Sequence, residues 1–354
     1  MSDQKEEEVA AVDASEAWFV DPGHLDAVGK TEDGIIVETG SAGTYSDIPV
    51  ENVKTVLDQF ASKPWRQAFK ELYESKNPWL YRIVTDPSRA MPIEVLNLAR
   101  NGACLDVGSG WGQLCIPAAQ WGGRVVALDL TLDRLRILRS IARQEGAAIT
   151  LAKGNVLSFP FREGTFDLVM FNGTLEWVGT GREADRTIRQ CQVLALQNVA
   201  RAAKADGVIY LGIENSIGLK YLMGARDDHT SLVNYSFLSE AEAEALLRSM
   251  VGGDRPSAKT WGLNQLKQLA GEAGLAVKSV FGCFPDYKIP RHIVPLDEIN
   301  QFILQWEIDW DEHHGDKGEP LADQNAIRAA YRQLAENGIA QWFCPSYAMT
   351  LVKS

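Results

Sequence analysis

The stretch 103–130, ACLDVGSGWGQLCIPAAQWGGRVVALDL, decides the fold. It begins with ACLDV and ends with RVVALDL, two apolar runs that are separated by a glycine-rich loop and a helical segment. Apolar strands that alternate with helices are typical of a parallel sheet covered on both faces. Ligands of such sheets bind beyond the carboxyl ends of the strands. The residues that follow each strand are therefore the candidate site.

The same alternation continues along the chain. Five further runs predict strands, namely AITLAKGN (148–155), TFDLVMFN (165–172), GVIYLGIEN (207–215), LAVKSVFGCF (275–284) and PSYAMTLVK (345–353). We therefore expect an α/β fold with a doubly wound, mostly parallel sheet of seven strands. Three regions are predicted: an acidic, partly flexible segment over 1–48, a helical cap over 49–100, and a main domain over 101–354. Insertions are expected in the main domain at about 214–258 and 285–340.

Composition narrows the classes of partner. The 354 residues carry 35 Lys and Arg against 47 Asp and Glu, a formal net charge of −12, which repels phosphate backbones. Nucleic acid is therefore not expected as a partner. Five widely spaced cysteines without a C-x-x-C pair indicate reduced, buried thiols. The N-terminus has no apolar signal region, and no apolar run reaches the roughly 18 residues of a membrane span. These features predict a soluble, cytoplasmic protein, and a homo-oligomer is compatible with them.

The loop after the first strand, LDVGSGWG, carries the chemistry. Its glycines let the main chain approach a ligand, and the next helix begins with N–H groups that lack partners. The pattern is acidic-x-G-x-G-x-G, which differs from the G-x-G-x-x-G of dinucleotide-binding sheets. The second strand ends at Asp129, where a carboxylate can accept hydrogen bonds from both hydroxyls of a ribose. Asn155 follows the third strand, and its carbonyl can accept from an adenine amino group.

These motifs resemble those of class I S-adenosylmethionine (SAM)-dependent methyltransferases. LDVGSGWG is similar to their first motif, VVALDL to the second, GNVLSFPF to the third and FDLVMFNGTLEWV to the fourth, over about 103–215. The resemblance implies SAM as cofactor, with its methionine part on the glycine loop, its amino group near Asp106, its ribose on Asp129 and its adenine over Leu130. The third motif usually has Asp where this chain has Asn155. The predicted cofactor site comprises Asp106, Gly108, Ser109, Gly110, Gly112, Asp129, Leu130, Asn155, Val156, Asn172 and Gly173.

Two later segments carry a second, narrower resemblance. GIENSIGLKYLMGARDDHT (212–230) and FPDYKIP (284–290) resemble segments of bacterial methyltransferases associated with cell-surface sugar and glycan assembly. This resemblance implies that both segments form the acceptor side of the cleft. The predicted substrate-binding residues are Asn215, Lys220, Tyr221, Tyr287 and Lys288.

Methyl transfer to a hydroxyl benefits from a general base, and histidine is the usual choice because its pKa lies near neutrality. We therefore expect His229, Asp228 and Glu214 to be catalytic. Two alternatives stay open: Asp227 and Asp228 cap the next helix or face water, and Asn215 only stabilises a turn. No metal site is predicted, since the acidic and histidine-containing stretch 307–314 is interpreted as solvated surface.

The sequence thus predicts a SAM-dependent methyltransferase acting on a small polar acceptor such as a sugar or nucleotide-sugar hydroxyl in cell-surface glycan synthesis. The alternatives are a SAM-binding regulatory or scaffold protein without activity and a methyltransferase of another small metabolite. The glycine spacing disfavours a nicotinamide-dependent dehydrogenase. The segment FNGTLEW lacks the Asn/Asp-Pro-Pro-aromatic tetrad expected of methyltransferases that modify the amino groups of nucleic-acid bases.

Overall fold

The structure is a computed structural model that describes residues 9–41, 48–98, 101–180, 185–251, 258–306, 308 and 324–354. The chain divides into two compact units. The first unit comprises Met1–Lys76, Asn97–Met170 and Arg201–Gly207, and the second comprises Asn77–Leu96, Phe171–Ala200 and Val208–Ser354.

The described residues form ten strands and twelve α-helices. The strands are β1 (Val28–Lys30), β2 (Ile36–Glu38), β3 (Ala103–Val107), β4 (Arg124–Asp129), β5 (Ile149–Lys153), β6 (Phe166–Asn172), β7 (Ala203–Glu214), β8 (Leu275–Phe284), β9 (His292–Pro295) and β10 (Ser346–Lys353). The helices are α1 (Val50–Ser62), α2 (Trp65–Tyr73), α3 (Pro78–Thr85), α4 (Met91–Val95), α5 (Cys115–Gln120), α6 (Leu132–Gln144), α7 (Ile188–Ala202), α8 (Leu219–Leu222), α9 (Glu240–Val251), α10 (Leu263–Glu272), α11 (Ile299–Gln305) and α12 (Gln324–Glu336).

All seven predicted strands are present, as β3 to β8 and β10. The predicted strand number is nevertheless wrong, because the sheet has ten strands in the order β1-β2-β5-β4-β3-β6-β7-β10-β8-β9. The three additional strands lie at the edges. β1 and β2 form an antiparallel pair beside β5, and β9 pairs with β8. Each has only three or four residues, which is too short for a repeating pattern of apolar residues to identify it.

In the first unit, parallel pairing aligns the two strands that carry the candidate cofactor residues. β3 pairs with β4, which places Asp106 opposite Ala127 and Val107 opposite Leu128. β4 in turn pairs in parallel with β5. The carboxyl ends of these strands therefore meet at one edge of the sheet. Helix α6 covers this region with buried residues at helical spacing, among them Leu135, Leu138 and Ile141.

In the second unit, β10 runs antiparallel between β7 and β8. The register pairs Ser346 with both Glu214 and Cys283, so the carboxyl ends of β7 and β8 lie at the same level. The segments 212–230 and 284–290 continue from these two ends. This strand arrangement brings two distant parts of the sequence to one place.

Two sequence-based expectations can be checked directly. All five cysteines are buried, as predicted, and none of them forms a disulfide bond. Among the described residues, no helix combines the length and apolar character needed to cross a bilayer.

Candidate functional site

The glycine loop after β3 has a conformation that requires glycine at three positions. Gly108, Gly110 and Gly112 have φ values of 70°, 53° and 92°, all in the left-handed region. A Cβ atom on Gly110 would lie 2.9 Å from Arg134 Nη2. The N–H groups of Gly108 and Ser109 both donate to the carbonyl of Leu128, so the loop is tied to the end of β4. The loop is therefore held in a defined shape beside the strand end.

Gly112→Ala is expected to destabilise the protein by about 1–3 kcal/mol, because the new methyl group overpacks the core. Its Cβ would lie 2.3 Å from Leu138 Cδ1 and 2.7 Å from Ile116 Cδ1. Gly146→Ala is the matched control, since Gly146 has a φ of 66° and a methyl group there would meet no atom within 4 Å. Both variants place an alanine at a positive φ, but only Gly112→Ala adds a steric clash. The difference between their free energies of unfolding in urea therefore measures the clash. Equal losses of stability in the two variants would contradict the prediction.

Asp129 ends β4 and organises the loop. Its side chain is nearly buried, and Oδ2 accepts a hydrogen bond of 3.1 Å from the Gly110 N–H. Oδ1 accepts from the Thr131 N–H at 3.0 Å, and Arg134 Nη1 lies 3.5 Å from Oδ2. A carboxylate has about four acceptor positions, so it can accept further hydrogen bonds from a ribose.

Ser109 contributes a buried hydroxyl to the loop. It is 4% exposed, and its Oγ makes no hydrogen bond with the residues that the structure describes. Together with the glycine cradle and the Asp129 carboxylate, it forms a set of donors and acceptors that fits the polar groups of SAM. Asp106 is also buried, at the carboxyl end of β3.

The remaining predicted cofactor residues of the first unit lie after β4 and β5. Leu130 is half-buried and Val156 is buried. Asn155 is half-buried, and its Oδ1 accepts a hydrogen bond from the Leu157 N–H at 3.0 Å. This turn uses one of the two acceptor positions of the side-chain carbonyl. The second acceptor position of Asn155 Oδ1 remains for the adenine contact that the sequence predicts.

Asn172 ends β6, Gly173 follows it, and both lie in the second unit. Asn172 Oδ1 accepts from the Tyr210 hydroxyl at 3.2 Å, and its Nδ2 is buried with no hydrogen-bond partner among the described residues. A Cβ on Gly173 would lie 2.4 Å from the Tyr287 hydroxyl oxygen. The absence of a side chain at Gly173 therefore makes room for the Tyr287 ring.

The second unit contains a buried group of ionisable side chains, which we call the carboxylate cluster. It comprises Glu176, Glu214, Lys220, Asp227, Asp228, His229, Tyr287 and Lys288. Within it, His229 Nε2 lies 3.6 Å from Glu176 Oε1 and 3.8 Å from Glu214 Oε1. His229 Nδ1 lies 3.7 Å from Asp227 Oδ1. Three carboxylates therefore surround one imidazole whose side chain is only 5% exposed.

This arrangement controls the charge of His229. Burial by itself lowers the pKa of the imidazole, but the nearby Glu214, Asp227 and Glu176 carboxylates outweigh it and raise the pKa well above its usual range. With the three carboxylates ionised, the ring carries a proton at neutral pH. An imidazolium cannot accept a proton, so the general-base role stays a prediction that requires the proton to leave first.

The two lysines offset part of the negative charge of the cluster. Lys288 Nζ lies 2.6 Å from Glu214 Oε1 and 2.9 Å from Asp228 Oδ2, and Lys220 Nζ lies 2.9 Å from the same Asp228 oxygen. Burial lowers the pKa of Lys288, but Asp228 and Glu214 raise it well above the usual range. Asp228 therefore serves as the shared partner of two ammonium groups. The buried Tyr221 ring lies 4.7 Å from Lys220 Nζ.

The side chain of Asn215 is hydrogen-bonded to the surrounding main chain and does not line an open binding site. It is fully buried, and its Nδ2 donates to the carbonyls of Trp342 and Cys344 at 2.9 and 3.0 Å. Its Oδ1 accepts from the Ile217 N–H at 3.2 Å. The structure therefore favours the alternative in which Asn215 stabilises the turn.

Two members of the cluster were not among the predicted site residues. Glu176 follows β6 in the segment FNGTLEW, and its position at a strand end was the available signal. Asp227 precedes the predicted catalytic pair Asp228 and His229 in the sequence. Its Oδ1 accepts from the Thr230 N–H at 2.8 Å, and its Oδ2 accepts from Ser236 Oγ at 3.0 Å. It thereby holds both the turn and the His229 ring.

Lys259 makes the stability of the second unit dependent on pH. Its side chain is buried, and burial lowers its pKa to about 8, while Asp227, Glu240 and Glu242 partly oppose the shift. The unfolded chain keeps the proton up to a pKa of about 10.4. Unfolding therefore takes up a proton between these values, and the free energy of unfolding should gain about 3 kcal/mol from Lys259 as the pH rises from 8 to 10.4.

Lys259→Met should lack this gain, which chemical denaturation at pH 8, 9 and 10 would measure. Lys267→Met, on the partly exposed face of α10, is the control for the loss of a lysine. Stability curves of wild type and Lys259→Met that stay parallel over this range would disprove the assignment.

Comparison with known proteins finds similar sequences for the region around the glycine loop. Residues 104–207 match the family of methyltransferase domains. An uncharacterised protein of Mycobacterium tuberculosis is 33% identical over 101 residues, which is 28% of this chain and 37% of that protein. A ubiquinone biosynthesis O-methyltransferase of a Chelativorans species is 26% identical over 167 residues, which is 45% of this chain and 62% of that protein. The chain thus spans between about a third and two thirds of the length of these relatives.

Solved methyltransferase structures also align with the chain. The Burkholderia thailandensis 1,6-didemethyltoxoflavin-N1-methyltransferase, with bound S-adenosylhomocysteine, aligns at 14% identity over 89% of this chain and 94% of its own, with a TM-score of 0.43. A TehB-like SAM-dependent methyltransferase of Corynebacterium glutamicum aligns at 15% identity over 75% of this chain and 88% of its own, with a TM-score of 0.38.

Proposed function

We propose that this chain is a SAM-dependent methyltransferase that acts on the hydroxyl of a small polar acceptor. The observation that carries the proposal is the match of residues 104–207 to methyltransferase domains, because this segment contains the glycine loop and Asp129. The left-handed glycine conformations, which let the main chain approach a ligand, and the buried Ser109 Oγ, which has no hydrogen-bond partner among the described residues, support the presence of a ligand there.

In this proposal, each group of the first unit has a distinct role. The methionine part of SAM binds to the main chain of the loop from Gly108 to Gly112 and to the Ser109 hydroxyl. Asp106 orients the amino group of SAM. Asp129 accepts hydrogen bonds from the ribose hydroxyls. Bound SAM supplies an electrophilic methyl group. The protein contributes orientation and exclusion of water, which are the main requirements of an in-line displacement.

The carboxylate cluster is the acceptor site that we propose. Seven of its eight residues come from the segments 212–230 and 284–290, the two that resemble glycan-associated methyltransferases. Glu176 Oε2 and Glu214 Oε2 are buried and have no hydrogen-bond partner within the described ranges of the chain, so both can accept from an acceptor hydroxyl. While His229 stays protonated, a carboxylate takes up the hydroxyl proton. A sugar hydroxyl has the polarity that this site requires.

The first test is a calorimetric titration of the full chain with SAM and, separately, with NAD. We expect SAM to bind with micromolar affinity, about −8 kcal/mol, and NAD to give no signal. Nucleotide sugars are then the first acceptors to screen, with S-adenosylhomocysteine formation as the readout. A chain that does not bind SAM would contradict the proposal. SAM binding without transfer to any acceptor would favour the non-catalytic regulatory alternative.

A further inference from the structure

We infer that Glu176, Glu214 and His229 form a binding site for one divalent transition-metal cation. Each residue offers one ligand atom, and these atoms all lie within 4.8 Å of one another. All three residues belong to the second unit, so the inference does not depend on SAM binding or on methyl transfer. It changes how an acceptor hydroxyl would be held, because the hydroxyl would then bind through the cation.

The spacing of the donors suits a small cation. Metal–ligand bonds of about 2.1 Å place neighbouring donors about 3.0–3.4 Å apart in octahedral or tetrahedral sites. His229 Nε2 lies 3.6 and 3.8 Å from the nearer oxygens of Glu176 and Glu214. The two nitrogen–oxygen distances therefore exceed the tetrahedral spacing by only a few tenths of an ångström, and all three ligand atoms lie within 4.8 Å of one another.

Two buried oxygens lack a partner. Glu176 and Glu214 are both 0% exposed, yet neither Oε2 atom makes a hydrogen bond in the described part of the chain. An unsatisfied buried carboxylate oxygen is costly and calls for a specific explanation. A cation that both carboxylates bind through both of their oxygens would provide the missing partner.

The surrounding residues orient these ligands. Asp227 faces His229 Nδ1, and its two oxygens accept from the His229 and Thr230 N–H groups and from the Ser236 hydroxyl. A carboxylate fixed on one imidazole nitrogen leaves the other nitrogen for a metal, which is the usual outer shell of a metal-bound histidine. The Tyr287 hydroxyl lies 3.3 Å from Glu176 Oε1 and 3.4 Å from Glu214 Oε1, so it can donate its one proton to either carboxylate.

The charge of the cluster fits a divalent ion. With a neutral His229 ligand, the four carboxylates of the cluster exceed its two ammonium groups, Lys220 and Lys288, by two negative charges. One imidazole nitrogen with two carboxylate oxygens favours Mn²⁺, Fe²⁺ or Zn²⁺ over Mg²⁺ and Ca²⁺, which prefer oxygen alone.

The test uses the full chain after removal of metals with EDTA, followed by equilibrium dialysis against MnCl₂, ZnCl₂ or MgCl₂. We expect the wild type to retain one equivalent of Mn²⁺ or Zn²⁺. His229→Ala and Glu214→Gln should each weaken retention by at least about 100-fold, since loss of an outer-shell residue alone costs about 10–100-fold. His24→Ala, which removes an exposed histidine, and the double variant His313→Ala/His314→Ala should retain the metal.

A second measurement does not require the variants to fold. Pulsed electron paramagnetic resonance of the wild type with Mn²⁺ should show modulation from one imidazole nitrogen. The inference is overturned if no metal is retained at about 100 µM free ion, if only Mg²⁺ binds, if the nitrogen signal is missing, or if only the 313/314 variant loses the metal. The separate SAM titration reports on the proposed function, so failure of one proposal is distinguishable from failure of the other.

Discussion

Asp129→Ala is expected to weaken SAM binding by at least about 100-fold. The variant lacks the carboxylate that is proposed to accept two hydrogen bonds from the ribose hydroxyls. Hydrogen bonds to a charged acceptor contribute about 1.5–3 kcal/mol each. The substitution also removes the partner of the Gly110 and Thr131 N–H groups, which hold the loop. Isothermal titration calorimetry of the wild type and the variant measures the change directly.

Two controls separate ribose recognition from general loss of the fold. Asp206→Ala removes an exposed carboxylate of the same unit and should leave SAM affinity unchanged. Asp129→Asn keeps an acceptor oxygen, so it should bind SAM with intermediate affinity while unfolding close to the wild-type temperature. An Asp129→Ala protein that binds SAM as tightly as the wild type would remove Asp129 from the cofactor site.

His229→Ala is expected to reduce the free energy of unfolding by about 3–5 kcal/mol in metal-free protein. The substitution removes the buried imidazolium and leaves the Glu176, Glu214 and Asp227 carboxylates with one cation fewer, which is the costly way to break a buried ion pair. SAM affinity should stay within about twofold of the wild type, because the residues proposed to bind SAM through the glycine loop lie in the first unit. If His229 also takes part in catalysis, methyl transfer to the identified acceptor will slow by about 100-fold or more.

The matched control for this variant is His24→Ala. His24 also lies near a carboxylate, with Nδ1 3.7 Å from Asp21 Oδ2, but both side chains are largely exposed. Exposed ion pairs contribute little, so this variant should unfold like the wild type. Urea denaturation of both variants at pH 7 gives the comparison. Equal stability of His229→Ala and wild type would show that the buried carboxylates do not rely on the imidazolium. Full transferase activity in His229→Ala would remove that residue from the mechanism.

The charge state of His229 shows why the chemistry of this site could not be predicted from the sequence. The segment DDHT suggests a histidine that is oriented by its neighbouring aspartate and is free to accept a proton. In the structure, Asp228 pairs with two lysines, and the carboxylates nearest His229 Nε2 come from Glu176 and Glu214. The pKa of a buried group depends on these neighbours, which lie 53 and 15 residues away along the chain.

Asn215 shows that the role of a predicted binding residue also depends on the tertiary structure. Its position at a strand end makes it a reasonable substrate ligand, yet its amide is fully used by the main chain around Cys344. The sequence cannot show which polar side chains at a strand end are already satisfied. This depends on segments that return to the same place only after more than a hundred residues.

The sequence by itself determined the seven central strands and the glycine loop with Asp129 at the end of the next strand. These features follow from local rules, namely runs of apolar residues, helical spacing and glycine at positions of positive φ. Only the tertiary structure decided the three edge strands, the membership of the carboxylate cluster and the protonation of His229. Short edge strands are fixed by their pairing partners, and buried charges are fixed by residues that meet through the strand order, so neither leaves a pattern in any one stretch of the chain.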